Sequence, residues 1–446
     1  MRQSDRADGQ RQTWAARQGR NAGPGRWLAI TAVTAVTGLL IAACSSGSQT
    51  PTTPAASHSA AKASAAAARA QLHISPGDGH HNVNPSKGIT VTAASGKIQS
   101  VTVSSGHQTV GGSFNGAHTV WRNQWALQPS RNYRVQATAV NSSGTKVTST
   151  SSFHTLTPSA SDTAMIFEGY KQSYGIGMPI RITFSSPVTN KAAVEKALQV
   201  SSSKPVTGAW YWDGDQTLYF RTMNYWPANT TVSFNGHLNG VEASPGVFFT
   251  ADLTQTFNIG PSLVVVASTK THYLNVFYKG KLWGHWPIST GRPGLDTVDG
   301  TYITLEKGNP VRMVGNGYNE LVNDAVRFTY SGDYLHSAPW SVGEQGNTNV
   351  SHGCVNLSPQ HAAMYYNLAT PGDPVTVTGS PHTGKWGDGF TVWFLSWKQL
   401  LKGSATGQAV QVTSSGSTFV SPSSVTQTPD TSRLGGAKPG NYAAQS

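Results

Sequence analysis

Apolar and polar residues alternate with a period of two along much of this chain, and that pattern commits it to sheet. Ile89-Thr90-Val91-Thr92, Val101-Thr102-Val103 and Tyr133-Arg134-Val135-Gln136-Ala137-Thr138-Ala139-Val140 all alternate, with Ser, Gly and Asn turns between them. Successive side chains of a strand face opposite sides, so such runs bury one face and wet the other. Short strands at this spacing predict an immunoglobulin-like β-sandwich over residues 72–157. Residues 158–258 predict a second one. There Ile180-Arg181-Ile182-Thr183-Phe184 reads as a strand. Trp210-Tyr211-Trp212 and Leu218-Tyr219-Phe220 read as a hairpin turned at Asp213-Gly214. Residues 192–198 suit a short helix. Trp210, Trp212 and Trp226 fit a core or an interdomain seam better than a sugar platform.

Residues 259–380 form a third, strand-rich segment. Leu263-Val264-Val265-Val266 reads as a buried strand. Tyr273-Leu274-Asn275-Val276-Phe277-Tyr278 pairs with Leu282-Trp283 across Lys279-Gly280-Lys281, and Val375-Thr376-Val377 ends the fold. Ser358 and Pro359 give a cap and a first-turn proline to one helix, Pro359–Leu368. Residues 381–404 carry Trp386, Trp393, Phe394 and Trp397 and are expected to pack back on the preceding domains. Residues 405–446, rich in Ser, Thr, Gly and Gln, read as a disordered tail. The expected fold class is mainly β: two immunoglobulin-like sandwiches, then a β-rich domain.

The N-terminus reads as an export signal. Arg2, Arg6, Arg11, Arg17, Arg20 and Arg26 face only Asp5 and Asp8. An apolar run over residues 27–43 follows, shorter than the ~20 residues a membrane-spanning helix needs. Ile41-Ala42-Ala43-Cys44 looks like a bacterial lipobox, which would make residues 1–44 a lipoprotein signal with Cys44 as lipid anchor. An ordinary signal peptide with an incidental Cys44 is the alternative. Residues 45–71 then form a Ser/Ala/Thr/Pro tether. The expected location is the outer face of the cell membrane and the cell wall. The formal net charge is +12, but charged residues are only 12% of the chain. That sparse excess holds no basic run interleaved with aromatics, so nucleic acid is excluded and an anionic envelope is the natural partner.

Only two cysteines occur, Cys44 and Cys354. If Cys44 is acylated, Cys354 is an unpaired thiol in an exported protein. A Cys44–Cys354 disulfide is the alternative for both. Cys354 lies in Ser351-His352-Gly353-Cys354-Val355-Asn356, with His336-Ser337-Ala338-Pro339-Trp340 upstream. A thiol attacks as thiolate, and an imidazole in reach takes its proton and pairs with the anion. Gly353 suits a backbone amide aimed at an oxyanion. Zinc held by His336, His352 and Cys354, with Asp333 or Glu344, fits by residue type but lacks a ligand-spacing motif. His272, His285, His361 and His382 read as structural.

These residues resemble those of L,D-transpeptidases of the YkuD fold. That family carries a His, some 14 to 17 residues, then Ser/Thr-His-Gly-Cys-x-Asn; here fourteen residues separate His336 from Ser351. Ser289-Thr290-Gly291 resembles the family's substrate strand, and the two sandwiches resemble actinobacterial, mycobacterial-type members. The resemblance implies Cys354 as nucleophile and His336 as general base, steered by the Ser337 carbonyl. It implies that His352, Gly353 and Cys354 build the oxyanion loop. Tyr318, Ser351, Asn356 and Trp340 would meet the substrate or support its pocket. A lid over residues 302–330 would carry the flexible Gly308, Gly315 and Gly317. Thr297-Val298-Asp299-Gly300 lacks a proline common before the lid.

The implied reaction is 3→3 cross-linking of peptidoglycan stem tetrapeptides, as donor and acceptor, with release of D-Ala. The implied cofactor is none, and carbapenem-type β-lactams are implied inhibitors. An L,D-carboxypeptidase, a protein-attaching transpeptidase and a non-catalytic wall-binding lipoprotein remain open.

Overall fold

A computed structural model of the chain describes residues 68–315 and 318–426. The signal, Cys44, most of the tether, Gly317 and residues 427–446 lie outside the described residues.

Alternation becomes sandwich in the first domain. One sheet runs Gln71–Ser75, Thr90–Ala94, Val120–Asn123, Gly112–Phe114; the other runs Gln108–Thr109, Lys97–Ser105, Asn132–Val140, Lys146–His154. The inward set, including Val91, Val103, Trp121, Val135, Ala137 and Phe153, is one apolar cluster.

The second sandwich pairs the sheet Ser173–Tyr174, Leu253–Ile259, Thr230–Gly236, Leu198–Ser202 with a six-stranded one. Trp210, Trp212 and Trp226 are core residues. The indoles are not stranded polar groups: Trp226 Nε1 donates to the Met178 carbonyl (2.7 Å) and Trp212 Nε1 to Glu195 Oε1 (2.8 Å).

The last two strands of the six-stranded sheet correct the expected tail. Ala409–Thr413 pairs with Val206–Asp213, and Gly416–Val420 pairs with Ala409–Thr413. Residues 405–426 are therefore folded. Their polar side chains face out, while Ala409, Val410 and Val412 enter the core of the second sandwich. Glu195, wholly buried, fixes the approach. Its carboxylate accepts from Ser404 Oγ (2.8 Å), Ala405 N (2.7 Å), Thr406 N (3.1 Å) and Thr406 Oγ1 (2.8 Å).

The third domain holds a five-stranded sheet, ordered Lys281–Pro287, Tyr273–Tyr278, Leu263–Ser268, Pro374–Thr378, Gly300–Ile303. Tyr278 pairs with Lys281, so Lys279-Gly280 is a two-residue loop, and both residues have positive φ, the mirror-image turn that suits strand twist. A four-stranded sheet, Glu306–Gly308, Ala325–Arg327, Tyr334–Ser337, Val355–Leu357, lies beside it. Helix Pro359–Leu368 begins where Ser358 accepts from His361 N and buries Ala362 and Tyr365.

The lid is narrower than expected. Tyr302 is a buried core residue, as are Val322, Ala325, Val326 and Phe328. Only the hairpin Val311–Gly315 with Tyr318–Val322 stands apart as a two-stranded sheet.

Residues 386–402 bind the domains together. Phe394 packs edge-on against Tyr302 of the third domain (5.1 Å between ring centroids), and Trp393 Nε1 donates to the Gly177 carbonyl of the second (2.7 Å).

Candidate active site

Strand register builds this site. Tyr334–Ser337 and Val355–Leu357 run parallel, with Leu335 opposite Val355 and His336 opposite Asn356. Leu335, Val355 and Leu357 fill the core. Alternation therefore turns Tyr334, His336 and Asn356 to the other face, and Cys354, one residue ahead of its strand, shares that face. His336 and Cys354 are diagonal neighbours, within reach of long side chains. Seventeen intervening residues collapse to neighbouring sheet positions.

His336 is 4% exposed, and its Nδ1 lies 2.9 Å from the Ser337 carbonyl oxygen. A carbonyl only accepts, so Nδ1 carries the proton and Nε2 keeps its lone pair. Burial lowers the imidazole's pKa, against a smaller opposing effect of that bond. Cys354 is a partly accessible free thiol whose Sγ lies 3.8 Å from the Gly332 carbonyl. Burial pushes it up to about 12, the Asp333 carboxylate adds to this, and the Tyr334 backbone opposes it. Both shifts favour the uncharged forms, the thiol and the neutral imidazole.

The nucleophile loop is tied from within. Ser351 Oγ donates to the Cys354 carbonyl (2.6 Å) and accepts from Gly353 N (3.2 Å). Ser351, expected at the substrate, is buried and spends its hydroxyl on the loop. The Gly353 amide, expected to serve an oxyanion, is engaged by that bond. The amides of His352 and Cys354 carry no hydrogen bond to any described residue. Gly353 has φ +132°, and a Cβ there would sit 2.6 Å from Asp333 Oδ1, so only glycine fits.

Other expected residues sort by depth. Asn356 is buried; its Nδ2 donates to Ser341 Oγ (3.0 Å) and its backbone bridges Ser289. It positions the loop and does not line the pocket. Trp340 is 56% exposed, its ring 6.0 Å from that of His336, and forms a rim. His352 is exposed. Arg292 Nη1 lies 2.9 Å from its Nε2, and because guanidinium only donates, the imidazole is neutral. Burial, then Arg292, lowers its pKa. Tyr318, at the lid's inner corner, rests on His352 (4.7 Å between centroids, tilted 34°). Its hydroxyl pKa is raised by burial, then by Cys354 and Asp333. A Cβ on Gly315 would lie 2.2 Å from that ring, so the lid closes this far only with glycine there.

Several framing residues escaped the sequence reading. Thr297 Oγ1 donates to the Gly353 carbonyl (2.6 Å) and accepts from Gly291 N (2.9 Å). Asn349 Oδ1 accepts from Thr290 N (3.0 Å) and Thr290 Oγ1 (2.8 Å) and meets His272 Nδ1 (2.9 Å). Ser289-Thr290-Gly291 is buried scaffolding under the loop. That motif was the one sequence cue to this frame, and Arg292 directly follows it. Among the described residues no three His, Cys, Asp or Glu side chains converge as a metal site, so the zinc alternative has no ligand set.

Residues 262–377 match a model of the L,D-transpeptidase catalytic domain, and residues 80–242 match one of a bacterial Ig domain. The chain is 32% identical over 348 residues to L,D-transpeptidase 2 of Mycobacterium tuberculosis (strain CDC 1551 / Oshkosh), spanning 75% of this chain and 85% of that protein. It is 32% identical over 347 residues to L,D-transpeptidase 5 of Mycobacterium tuberculosis (strain ATCC 25618 / H37Rv), spanning 75% and 77%. A solved L,D-transpeptidase in complex with imipenem is 33% identical, with a TM-score of 0.42, over 50% of this chain and 100% of that one. Similarity that runs beyond the thiol loop to span 75% of the chain, sandwiches included, makes this protein a member of the L,D-transpeptidase family.

Proposed function

We propose that this protein cross-links peptidoglycan through a Cys354 thioester. One observation carries the reading: His336 and Cys354 share a sheet face, and the Nδ1 bond to the Ser337 carbonyl leaves Nε2 free to take the thiol proton. The sulfur attacks the carbonyl at the L-centre of the third stem residue, which family membership suggests is meso-diaminopimelate. Amides of His352 and Cys354 face the developing oxyanion. The tetrahedral intermediate collapses, D-Ala leaves, and His336 gives it the proton. The side-chain amine of a second stem then resolves the thioester into a 3→3 cross-link. Carbapenem-type β-lactams acylate the same thiol in this scheme. The basic and apolar run ending at Cys44 supports export and lipid anchoring at the outer membrane face, with the sandwiches as spacer.

The test uses the chain without residues 1–44, purified disaccharide-tetrapeptide and mass spectrometry, beside Cys354→Ala. A cross-linked dimer with loss of D-Ala, absent in the variant, is expected. Tripeptide alone makes the enzyme a carboxypeptidase, or a protein-attaching transpeptidase without its acceptor. Unchanged tetrapeptide with an unreactive Cys354 defeats the proposal in favour of a binding lipoprotein.

A further inference from the structure

Asp333 stands beside the nucleophile with no role in the acylation chemistry. It directly precedes the strand Tyr334–Ser337, level with Gly353 when the register is continued, and its Oδ1 would lie 2.6 Å from a Cβ at Gly353. Thr329 Oγ1 anchors it, donating to Oδ2 (2.9 Å) and accepting from Asp333 N (2.7 Å). Its charge raises the pKa of both Cys354 and Tyr318, in each case less than burial does. For acylation that charge is a handicap, because it opposes the thiolate and the oxyanion alike.

No cation neutralises it. Among the described residues no Lys or Arg forms an ion pair with Asp333. Arg327 is committed elsewhere: Nη1 to Glu306 (2.9 Å), Nη2 to the Tyr330 carbonyl (2.7 Å), Nε to the Thr329 carbonyl (2.8 Å). Arg292 faces His352. Asp388, from the C-terminal segment, adds a second negative charge and holds Ser331 N (2.7 Å) and Oγ (2.7 Å) at the turn that carries Asp333. Burial, then Asp388, pushes the Asp333 carboxyl up to about 6, opposed by hydrogen bonds from Thr329 and Ser331 and by Arg327. It is therefore an anion at neutral pH. A partly buried carboxylate held by hydroxyls but by no ion pair gains when a cation arrives with the substrate.

We propose that Asp333 is the acceptor-specificity residue, binding the ammonium of the incoming stem peptide beside the thioester. This rests on the transpeptidase reading above. The ammonium passes one proton to the Asp333 carboxylate, and the freed lone pair attacks the thioester carbonyl. His336 Nε2 takes the second proton from nitrogen. The C–S bond then breaks, the departing sulfur takes that proton from His336, and Cys354 returns as a thiol. Asp333 releases its proton to water. Water as acceptor carries no charge and gains nothing from Asp333, so the carboxylate biases the acyl-enzyme toward amines.

The test compares the full-length chain with Asp333→Asn and Asp333→Glu. Disaccharide-tetrapeptide is the donor, disaccharide-tripeptide the acceptor in excess, and hydroxylamine, neutral at pH 7, a second nucleophile. Asp333→Asn should lower the ratio of cross-linked dimer to hydrolysed tripeptide by about tenfold, the worth of a single partly buried charge pair. D-Ala release and hydroxamate formation should hold or rise, and Asp333→Glu should restore most of the ratio. A ratio within about twofold of the parent overturns the proposal. If Asp333→Asn does not fold, Asp333→Ser decides by the same ratio at constant pH, and a ratio within about twofold of the parent counts against the proposal. Acyl-enzyme and His336 are common to both products, so the ratio isolates the acceptor. A parent protein that releases no D-Ala and gains no acyl mass refutes the transpeptidase reading itself, and this proposal with it.

Discussion

At the scale of single residues, the proposed chemistry rests on His336 and Gly353 by opposite means, one by what its ring offers and the other by what it lacks. His336 must be neutral to accept a proton, and burial lowers its pKa. Protonation removes the base, so activity falls as pH drops through a value below the ordinary ~6.5 of histidine. The acid limb of kcat/KM for D-Ala release should lie there, and His336→Ala should cost about 10²–10⁴-fold in that rate with the fold intact by circular dichroism. Gly353→Ala meets Asp333 Oδ1 at 2.6 Å with φ at +132°. It should lose about 1–3 kcal/mol of stability and most of the acylation rate, read together as a lowered melting temperature and slower gain of acyl mass. A tolerated Gly353→Ala would mean the loop is looser than its hydrogen bonds require. His336 and Cys354 were legible in the sequence because their spacing is fixed by two short strands. Asp333, Thr297 and Asn349 were not, since a lone Asp, Thr or Asn carries no periodic signal.

Elements decide what the polar C-terminal stretch does. Its composition resembles a solvated tail, yet Val410 and Val412 alternate with polar neighbours and dock on Val206–Asp213. Two valines in a Gln/Ser/Thr background are too few to distinguish a strand from a tail by pattern alone. Ending the chain after Gly403 would strip those valines from the core and leave Glu195 with Trp212 Nε1 as its hydrogen-bond donor. A buried carboxylate losing four donors and two apolar contacts should cost about 3–5 kcal/mol. Differential scanning calorimetry on the shortened chain should show the second sandwich melting well below the parent. An unchanged melt would demote the hairpin to decoration.

Over the whole molecule, a buried cation helps to hold sandwich to catalytic domain. Arg221 Nη1 donates to the carbonyls of Val392 (3.1 Å) and Leu395 (2.8 Å), and its guanidinium lies 4.6 Å from the Trp393 ring centroid. Burial lowers it to about 10, still charged at neutral pH. The segment it grips sends Phe394 to Tyr302 of the catalytic domain. Arg221→Met strands both carbonyls and should cost about 3 kcal/mol. Calorimetry should show the second sandwich and catalytic domain unfolding together in the parent and apart in the variant; a single transition in both would put the coupling elsewhere. The sequence by itself determined the strand-rich class and the family to which the chain belongs. Period-two alternation and short-range spacing survive in one dimension. Only the tertiary structure decided that the tail is a sheet edge, that Ser351 and Asn356 build the loop from within, and that the Asp333 carboxylate packs against Gly353. Those are facts of burial and of contacts between residues far apart in the chain, and a carboxylate's energy depends on what surrounds it in space.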